Sequence, residues 1–202
     1  NPEAGKHQKI ESMIDFEALD ASPDQLLTYY FWADDIGPDG ETRRTQSDVF
    51  FGEVRPFEQI FRKGDPPAGG EGQPSGNEQQ ATKLAELQKE IMSATWKLIR
   101  RSSTSLSNRP KAADQLQADT KVVAESQAEA LAMLNELAKE LQDAKSKEIA
   151  VQIQAEMLNA AESLGSSPDS DAIDLDAAMK SEQAAYSGLL KLRTREFTVT
   201  KS

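Results

Sequence analysis

The chain has 202 residues, no cysteine, one histidine, and 34 acidic against 23 basic side chains, which gives a net charge of -11. The absence of cysteine excludes a Cys/His zinc site, a disulfide scaffold and a cysteine nucleophile. The negative charge argues against nucleic acid as a partner, because phosphate binding needs a basic surface. The longest apolar stretch, Leu26–Ala33, is far shorter than the ~20 residues of a membrane-spanning helix. Since the sequence begins at Asn1 without a methionine, we expect it to be part of a longer protein.

Residues 1–63 are rich in aromatic side chains, which favour β-strands. Apolar residues alternate with polar ones along Lys9–Asp20, a pattern typical of a strand with one wet face. Leu26–Asp34 is apolar on both faces, and Thr42–Val54 contains a further aromatic run. Between these two stretches, Gly37–Gly40 has the sequence of a type I turn. We therefore predict an antiparallel meander of three strands with Leu26–Asp34 as its covered central strand.

Three strands are too few to close a β-sandwich, so the central strand needs a second layer. Either the helical half of the chain covers it, or strands upstream of this sequence do, and we favour upstream strands. The β-rich segment, 1–63, is then an incomplete domain. The next stretch, 64–77, holds five of the eleven glycines and three of the nine prolines, a composition typical of a flexible linker.

Residues 78–202 predict a mainly α-helical region of three to four helices, arranged as a bundle or coiled coil. Helix-forming residues dominate this region, and Pro110 is the only proline from residue 78 to residue 167. Apolar residues at spacings of three and four predict two buried seams. The first seam contains Leu84, Leu87, Ile91, Ala94 and Leu98, with Trp96 and Ile99 beside it. The second contains Leu116, Val123, Ala130, Leu134, Leu137, Leu141 and Ala144, with Gln127 as its polar exception.

Helix boundaries follow from the punctuation of the same region. Serines and asparagine end the first helix in Arg101–Asn108, and Pro110 suits the first position of the next. The apolar pattern changes phase near Lys145–Glu148, which predicts either a kink or a stutter, and it continues through Val151, Ile153, Met157, Leu158, Ala161 and Leu164. Gly165 caps this helix. A last helix is expected from about Pro168–Asp171 to about Arg195, with Ile173, Ala177, Tyr186, Leu189 and Leu190 mostly on one face, followed by an extended segment at Phe197–Thr200.

Two acidic groups are weak candidates for a cation site. The first is the series Asp169, Asp171, Asp174 and Asp176. An EF-hand loop needs an acidic fifth position and a glycine at the sixth, but Ile173 and Asp174 stand there, so we favour helix capping. The second group surrounds the Gly-Pro-Asp-Gly turn and consists of Asp34, Asp35, Asp39 and Glu41, for which turn chemistry is the favoured explanation.

No sequence motif indicates catalysis. The run Arg100-Arg101-Ser102-Ser103 is similar to a kinase target, but arginines and serines are also typical of a helix C-terminus. A glycine-rich phosphate loop and a nucleophile elbow are both missing from the sequence, and His7 stands alone. We therefore expect no catalytic residue, no cofactor and no metal beyond the weak acidic candidates, and a protein that is not an enzyme.

Four strings together carry a resemblance to a known family: Tyr29–Asp35, Ser47–Glu58, Ala94–Leu98, and Glu182–Tyr186 with Leu189–Arg193. The chain resembles part of a family of large uncharacterised bacterial envelope proteins. These are membrane-anchored chains with an Ig-like β-domain followed by Gln- and Ala-rich helices. The resemblance implies that Tyr29–Asp35 and Ser47–Glu58 are the last two strands of an Ig-like domain. It implies no catalytic residue, since none is defined in that family.

The resulting functional hypothesis is a non-enzymatic structural and interaction module of a bacterial cell-envelope protein, on the periplasmic side of the membrane. Protein partners are expected to bind through the helical seams, and the membrane is contacted only by regions outside this sequence. One alternative is a self-associating coiled-coil spacer, which would be a homo-oligomer. The other is a weak divalent-cation-dependent binding protein.

Overall fold

The computed structural model describes residues 9, 11–16, 18–23, 25–54, 76–105, 110–165 and 173–200. It is an α+β protein, as the sequence predicts, and its described residues form four short strands followed by four helices. The strands are β1 (Leu26–Tyr29), β2 (Trp32–Ile36), β3 (Thr42–Gln46) and β4 (Phe50–Glu53). The helices are α1 (Gly76–Ser105), α2 (Pro110–Glu140), α3 (Ala144–Ser163) and α4 (Leu175–Thr200).

The four strands form one long, interrupted β-hairpin. β1 pairs with β4 and β2 pairs with β3, both antiparallel. At the tip, the Gly40 N–H donates to the Gly37 carbonyl (2.9 Å), and Gly40 has a φ of 82°, which favours glycine. At the interruption, the Ser47 N–H donates to the Phe31 carbonyl (2.8 Å), while the Phe31 N–H donates to Ser47 Oγ (2.9 Å). A serine side chain thus replaces one backbone acceptor where the ladder breaks.

The hairpin corrects two sequence-based predictions. Each of the two long strands, Leu26–Asp34 and Thr42–Val54, is split in two. Leu26–Asp34 is also not a covered central strand, because it pairs on one edge only and its outer face is exposed. The Ig-like arrangement is not confirmed, since the described strands form this hairpin alone.

The predicted strand at Lys9–Asp20 is wrong for the residues described there. Turns occupy its second half, and the Ala21 N–H donates to the Phe16 carbonyl (3.0 Å), so a backbone group is satisfied locally rather than in a sheet. Its apolar side chains remain exposed, including Ile14 at 46%. Alternation of apolar and polar residues gives a strand one apolar face, but it does not provide the partner strand that a sheet needs.

The helices form an antiparallel bundle in which each helix packs against two others: α1 against α2 and α4, and α3 against α2 and α4. Hydrogen bonds fix the antiparallel sense, because Gln80 near the start of α1 bonds to Glu140 at the end of α2. Gln154 of α3 similarly bonds to Asn135 of α2. The four helices thus run up, down, up and down.

The predicted seams become the bundle core. Of the first seam, Leu84, Ile91 and Leu98 are buried, while Leu87, Ala94, Trp96 and Ile99 pack partly buried against them. In the second seam, the buried members are Val123, Ala130, Leu134, Leu137 and Leu141, and the polar exception Gln127 is buried as well. Leu116 is partly buried.

The phase change after Leu141 is a chain reversal, not a kink or a stutter. α2 ends at Glu140, and Asp143 caps α3 by accepting the Ser146 N–H (2.9 Å). α3 therefore starts a new seam of Ser146, Ala150, Ile153, Met157, Ala160 and Leu164, all buried. Ala144, Val151 and Leu158, predicted in the seam, are exposed.

The ends of α3 and α4 confirm one prediction and correct two. Gly165 follows the last turn of α3 with a φ of 80°, and its N–H donates to the Glu162 carbonyl, as expected of a cap. Ile173 lies before α4 and is 43% exposed. The extended segment expected at Phe197–Thr200 is wrong, because α4 continues to Thr200. Burial of Glu196 against Ser146 holds this last stretch on the bundle.

α3 and α4 pack closely together at Gly188. A Cβ added there would lie 2.5 Å from Cγ1 of the buried Ile153, so only glycine fits. This interior glycine lowers helix propensity by about 1 kcal/mol relative to alanine. The close approach explains why the helix carries it.

We expect Leu137→Ala to lower the free energy of unfolding by about 2–5 kcal/mol, because the side chain is fully buried and its loss leaves a cavity. Thermal or urea unfolding followed by circular dichroism measures this loss. The matched control is Glu136→Ala, whose exposed carboxylate pairs only with exposed Lys139, so a change within about 0.5 kcal/mol is expected. Equal losses in the two variants would mean that the seam is misplaced.

Candidate interaction surface and buried polar contacts

The hairpin rests on α1 and α4 through alternate side chains of its strands. Leu26 and Phe51 pack against the bundle core, and Thr28 and Glu53 bond to α4. In the ladder, Leu26 pairs with Glu53 and Thr28 with Phe51, so these four side chains share one face. We call this the inner face.

Contacts with α1 lie at the break of the hairpin. The Trp96 indole N–H donates to the Ser47 carbonyl (3.1 Å), and its ring lies 4.5 Å from that of Tyr30. Arg100 donates to the Gln46 carbonyl (3.2 Å) and pairs with Asp48 (3.0 Å). The loss of ladder bonds at the break thus frees backbone carbonyls for α1 to bind.

Contacts with α4 lie at the base of the hairpin. Glu53 accepts from Tyr186 (2.8 Å) and pairs with Arg193 (3.2 Å), both contacts being partly buried. One turn before Tyr186, Gln183 bonds to Thr28 at 3.4 Å. α1 and α4 therefore anchor the β1–β4 part of the hairpin at its two ends.

The other face of the hairpin carries an exposed aromatic cluster. The rings of Tyr29 and Phe50 stack with centroids 5.4 Å apart, and Phe31 meets each of them edge-on at 6.0 Å. Beyond the break, Arg44 lies 4.0 Å over the ring of Trp32. Phe31 is 61% exposed, Trp32 56% and Phe50 43%. We call Tyr29, Phe31 and Phe50 the outer face.

Acidic residues near the hairpin tip bind arginines and turn backbone of the same hairpin. Arg44 holds Asp34 in a two-point ion pair and lowers the pKa of Asp34, chiefly through its hydrogen bond. Arg43 holds Asp35 in a second two-point ion pair. Asp39 accepts the Glu41 N–H (3.1 Å), as turn chemistry predicts. Their charges are thus already used within the hairpin.

Of the series before α4, Asp169 and Asp171 lie outside the described residues. Asp174 caps α4 by accepting the Ala177 N–H (2.9 Å), and Asp176 stands in the first turn. Within the described ranges, no three His, Cys, Asp or Glu side chains lie close enough together to hold a metal ion. Capping accounts for the two aspartates that the structure describes.

The sequence Arg100–Ser103 lies in the last turns of α1. Arg100 binds the hairpin, Arg101 pairs with Asp119 of α2, and Ser102 and Ser103 both donate to the Ile99 carbonyl. These residues therefore have roles in packing and at the helix end. His7 lies outside the described residues.

Polar side chains also occur inside the bundle, at three levels. Gln88 and Gln127 exchange hydrogen bonds of 3.0 and 3.3 Å between α1 and α2. Ser146 donates to Glu196 (2.6 Å) between α3 and α4. Between α1 and α4, Thr95 Oγ1 donates to Glu182 Oε1 (2.7 Å). Each bond joins two different helices.

Glu182 is the least satisfied of these groups. It has no exposed surface, and its Oε2 has no hydrogen-bond partner among the described residues. Burial raises its pKa to about 7, and the bond from Thr95 offsets only part of this effect. By contrast, the hydrogen bond from Arg195 holds the pKa of Asp143 well below its usual range.

Sequence reasoning missed Glu182 and Glu196 as core residues. Both follow the buried heptad spacing Ala178, Glu182, Ala185, Leu189, Leu192 and Glu196 of α4. The pattern was present in the sequence, but carboxylates are almost never fully buried, so they are normally assigned to the wet face.

Comparison with protein-family models, with curated proteins and with solved structures finds no match to this chain. In addition, no helix in the described part of the chain is long and apolar enough to span a membrane.

We predict that the free energy of unfolding falls as the pH rises from about 4.5 to 7. The unfolded state ionises its carboxyl at the ordinary pKa of 4.5, whereas the folded state resists ionisation until about 7. Stability from Glu182 is thus complete at low pH and is lost as the pH passes through the folded pKa, by up to about 3 kcal/mol. Urea unfolding at a series of pH values measures it.

The control is Glu182→Gln, which keeps the shape of the side chain without the charge. Its stability should vary less than that of the wild type between pH 4.5 and 7 and exceed it at pH 8. Parallel profiles for the two proteins would show that Glu182 does not remain protonated in the folded chain.

Proposed function

We propose that the chain is a non-enzymatic interaction module of a bacterial cell-envelope protein, in which the outer face of the hairpin binds a protein partner. The observation that carries this proposal is the exposed aromatic cluster of Tyr29, Phe31 and Phe50. In this proposal the bundle is the platform and the hairpin is the contact element.

The chemistry of the outer face supports this role. Aromatic side chains and arginine dominate the energetics of protein interfaces. Here mutual contacts orient all three rings. A partner would therefore meet a preorganised surface, with less side-chain entropy to lose on binding.

The helical seams are a weaker choice for partner contacts. Their leucines are buried against other helices of the same chain, including Leu84, Leu134 and Leu137. The self-associating spacer needs such a seam to be open, so the structure favours it less. The cation-dependent alternative is also weaker, since Asp34, Asp35 and Asp174 already bind arginines or a helix end.

The envelope setting rests on the resemblance carried by Tyr29–Asp35 and Ser47–Glu58. In this proposal the chain lies on the periplasmic side of the membrane. The proposal assigns no catalytic residue, because Asp34 and Asp35 serve as ion-pair partners and Asp174 as a helix cap.

Site-specific photocrosslinking in bacterial envelope preparations tests the proposal. A photoreactive amino acid placed at Phe31 should crosslink to a discrete partner protein. The matched control position is Val151, which is apolar and exposed to a similar degree (64% against 61%) but lies on the bundle. Phe50→Glu, which changes the ring next to Phe31, should remove the crosslink from position 31 without changing the helical melting temperature.

Three outcomes would overturn the proposal. Equal crosslinking from positions 31 and 151 would show that the outer face is not selective. Crosslinking only to a second copy of the chain would favour the self-associating spacer. No crosslink at position 31, with the protein folded, would remove the partner surface.

A further inference from the structure

The contact between Thr95 and Glu182 lies directly beneath the hairpin. Thr95 precedes Trp96, which binds the Ser47 carbonyl, and Glu182 precedes Gln183, which bonds to Thr28. The buried bond and the hairpin anchors therefore occupy adjacent residues on both α1 and α4. Whatever separates the two helices at this level also moves the anchors.

We propose that ionisation of Glu182 releases the hairpin from the bundle, so that docking of the hairpin on the bundle is controlled by pH. The inference rests on the proposed function in one respect, namely that the hairpin is the contact element. Protonated Glu182 is neutral and tolerates its closed position between the helices. Ionised Glu182 places a charge in a dry core with one hydrogen bond, and opening α1 from α4 admits the water that it needs.

No positive group inside the bundle compensates such a charge in the described part of the chain. The buried polar residues there are Gln88, Thr95, Thr120, Gln127, Ser146, Glu182 and Glu196. Counting along the helices from the Gln88–Gln127 pair brings Thr120 of α2 to the level of Thr95. Counting from the Gly188–Ile153 contact brings Asn159 of α3, which precedes the buried Ala160, to the level of Glu182. The helices thus face Glu182 with uncharged side chains.

Charged groups of the hairpin are already paired. Glu53 is held by Tyr186 and Arg193, and Asp48 is held by Arg100. The nearest surface charge on α1 is Lys97, which is exposed, and Asp119 of α2 pairs with Arg101. Glu196, the other buried carboxylate, lies four turns along α4, about 21 Å away at 1.5 Å per residue. Ionised Glu182 therefore has no countercharge close to it in the described part of the chain.

The hairpin is the element of lowest stability that such a charge could displace. Its strands pair only with each other, and a two-stranded hairpin is marginal by itself. It is held by the side chains of Trp96, Arg100, Gln183, Tyr186 and Arg193, whereas the helices share a continuous apolar core. Local opening precedes global unfolding where contacts are few.

The test follows the two indole N–H groups of the full chain by NMR between pH 5 and 9, with helical circular dichroism in parallel. Only Trp32 and Trp96 carry them. The Trp96 resonance should leave its hydrogen-bonded position as the pH rises towards 7 and change little above it, while the helical content stays constant. Linkage limits the fall in the docking equilibrium constant to about 300-fold, the ratio set by pKa values of 4.5 and about 7.

Matched variants make the test specific. Glu182→Gln should keep Trp96 docked at every pH, whereas Glu196→Gln, also buried on the same helix, should retain the transition. If Glu182→Gln does not fold, Thr95→Val provides the test, because loss of its hydroxyl donor leaves ionised Glu182 without a hydrogen bond and should make the release of Trp96 above pH 7 more complete.

An invariant Trp96 resonance would overturn the inference, and so would a transition that persists in Glu182→Gln or disappears in Glu196→Gln. Simultaneous loss of helical content would also overturn it, because the bundle would then be unfolding as a whole. The experiment uses no partner, so its failure leaves the photocrosslinking result unaffected, and the reverse holds as well.

Discussion

The structure depends on hydrogen bonds between buried polar side chains of neighbouring helices. An apolar seam of leucines and alanines permits several registers, since sliding a helix by one heptad still buries leucine against leucine. Gln88 and Gln127 exchange two hydrogen bonds only in the observed register of α1 and α2. Ser146 and Glu196 fix α3 against α4 in the same way. A slipped register would leave these groups buried without partners, at a cost of about 1–3 kcal/mol for each group.

The hairpin depends on this register in turn. It has two strands and no apolar core of its own, so its position is set by side chains from two helices. Trp96 and Arg100 come from α1, and Gln183, Tyr186 and Arg193 come from α4. These residues reach the hairpin together only while α1 and α4 stay aligned, and at this level the buried bond from Thr95 to Glu182 aligns the two helices. The geometry of the outer face is thus a consequence of polar contacts inside the bundle.

Sequence periodicity was sufficient for the helices and insufficient for the β-part. The seam through Leu134 and Leu137, the start of α2 at Pro110 and the cap at Gly165 follow from spacing, propensity and backbone conformation, which act locally. Strand pairing depends on distant residues, so the alternation in Lys9–Asp20 carried no information about whether a partner existed. Similarly, the reversal at Asp143 and the burial of Glu182 depend on tertiary contacts, with Arg195 and with Thr95 respectively. The aromatic residues of the outer face could be identified from the sequence, but the sequence did not indicate which aromatic side chains face outward.

The most direct test of the role of the buried polar pairs is a double-mutant cycle on Gln88 and Gln127, read out by urea unfolding. Gln88→Leu and Gln127→Leu should each lower the free energy of unfolding by about 1–3 kcal/mol, because each leaves one buried amide without its partner. The double variant should recover most of that loss, since both polar groups are then removed together. The recovered energy is the coupling between the two side chains. Losses that simply add in the double variant would contradict the account, because the two amides would then not act as a pair.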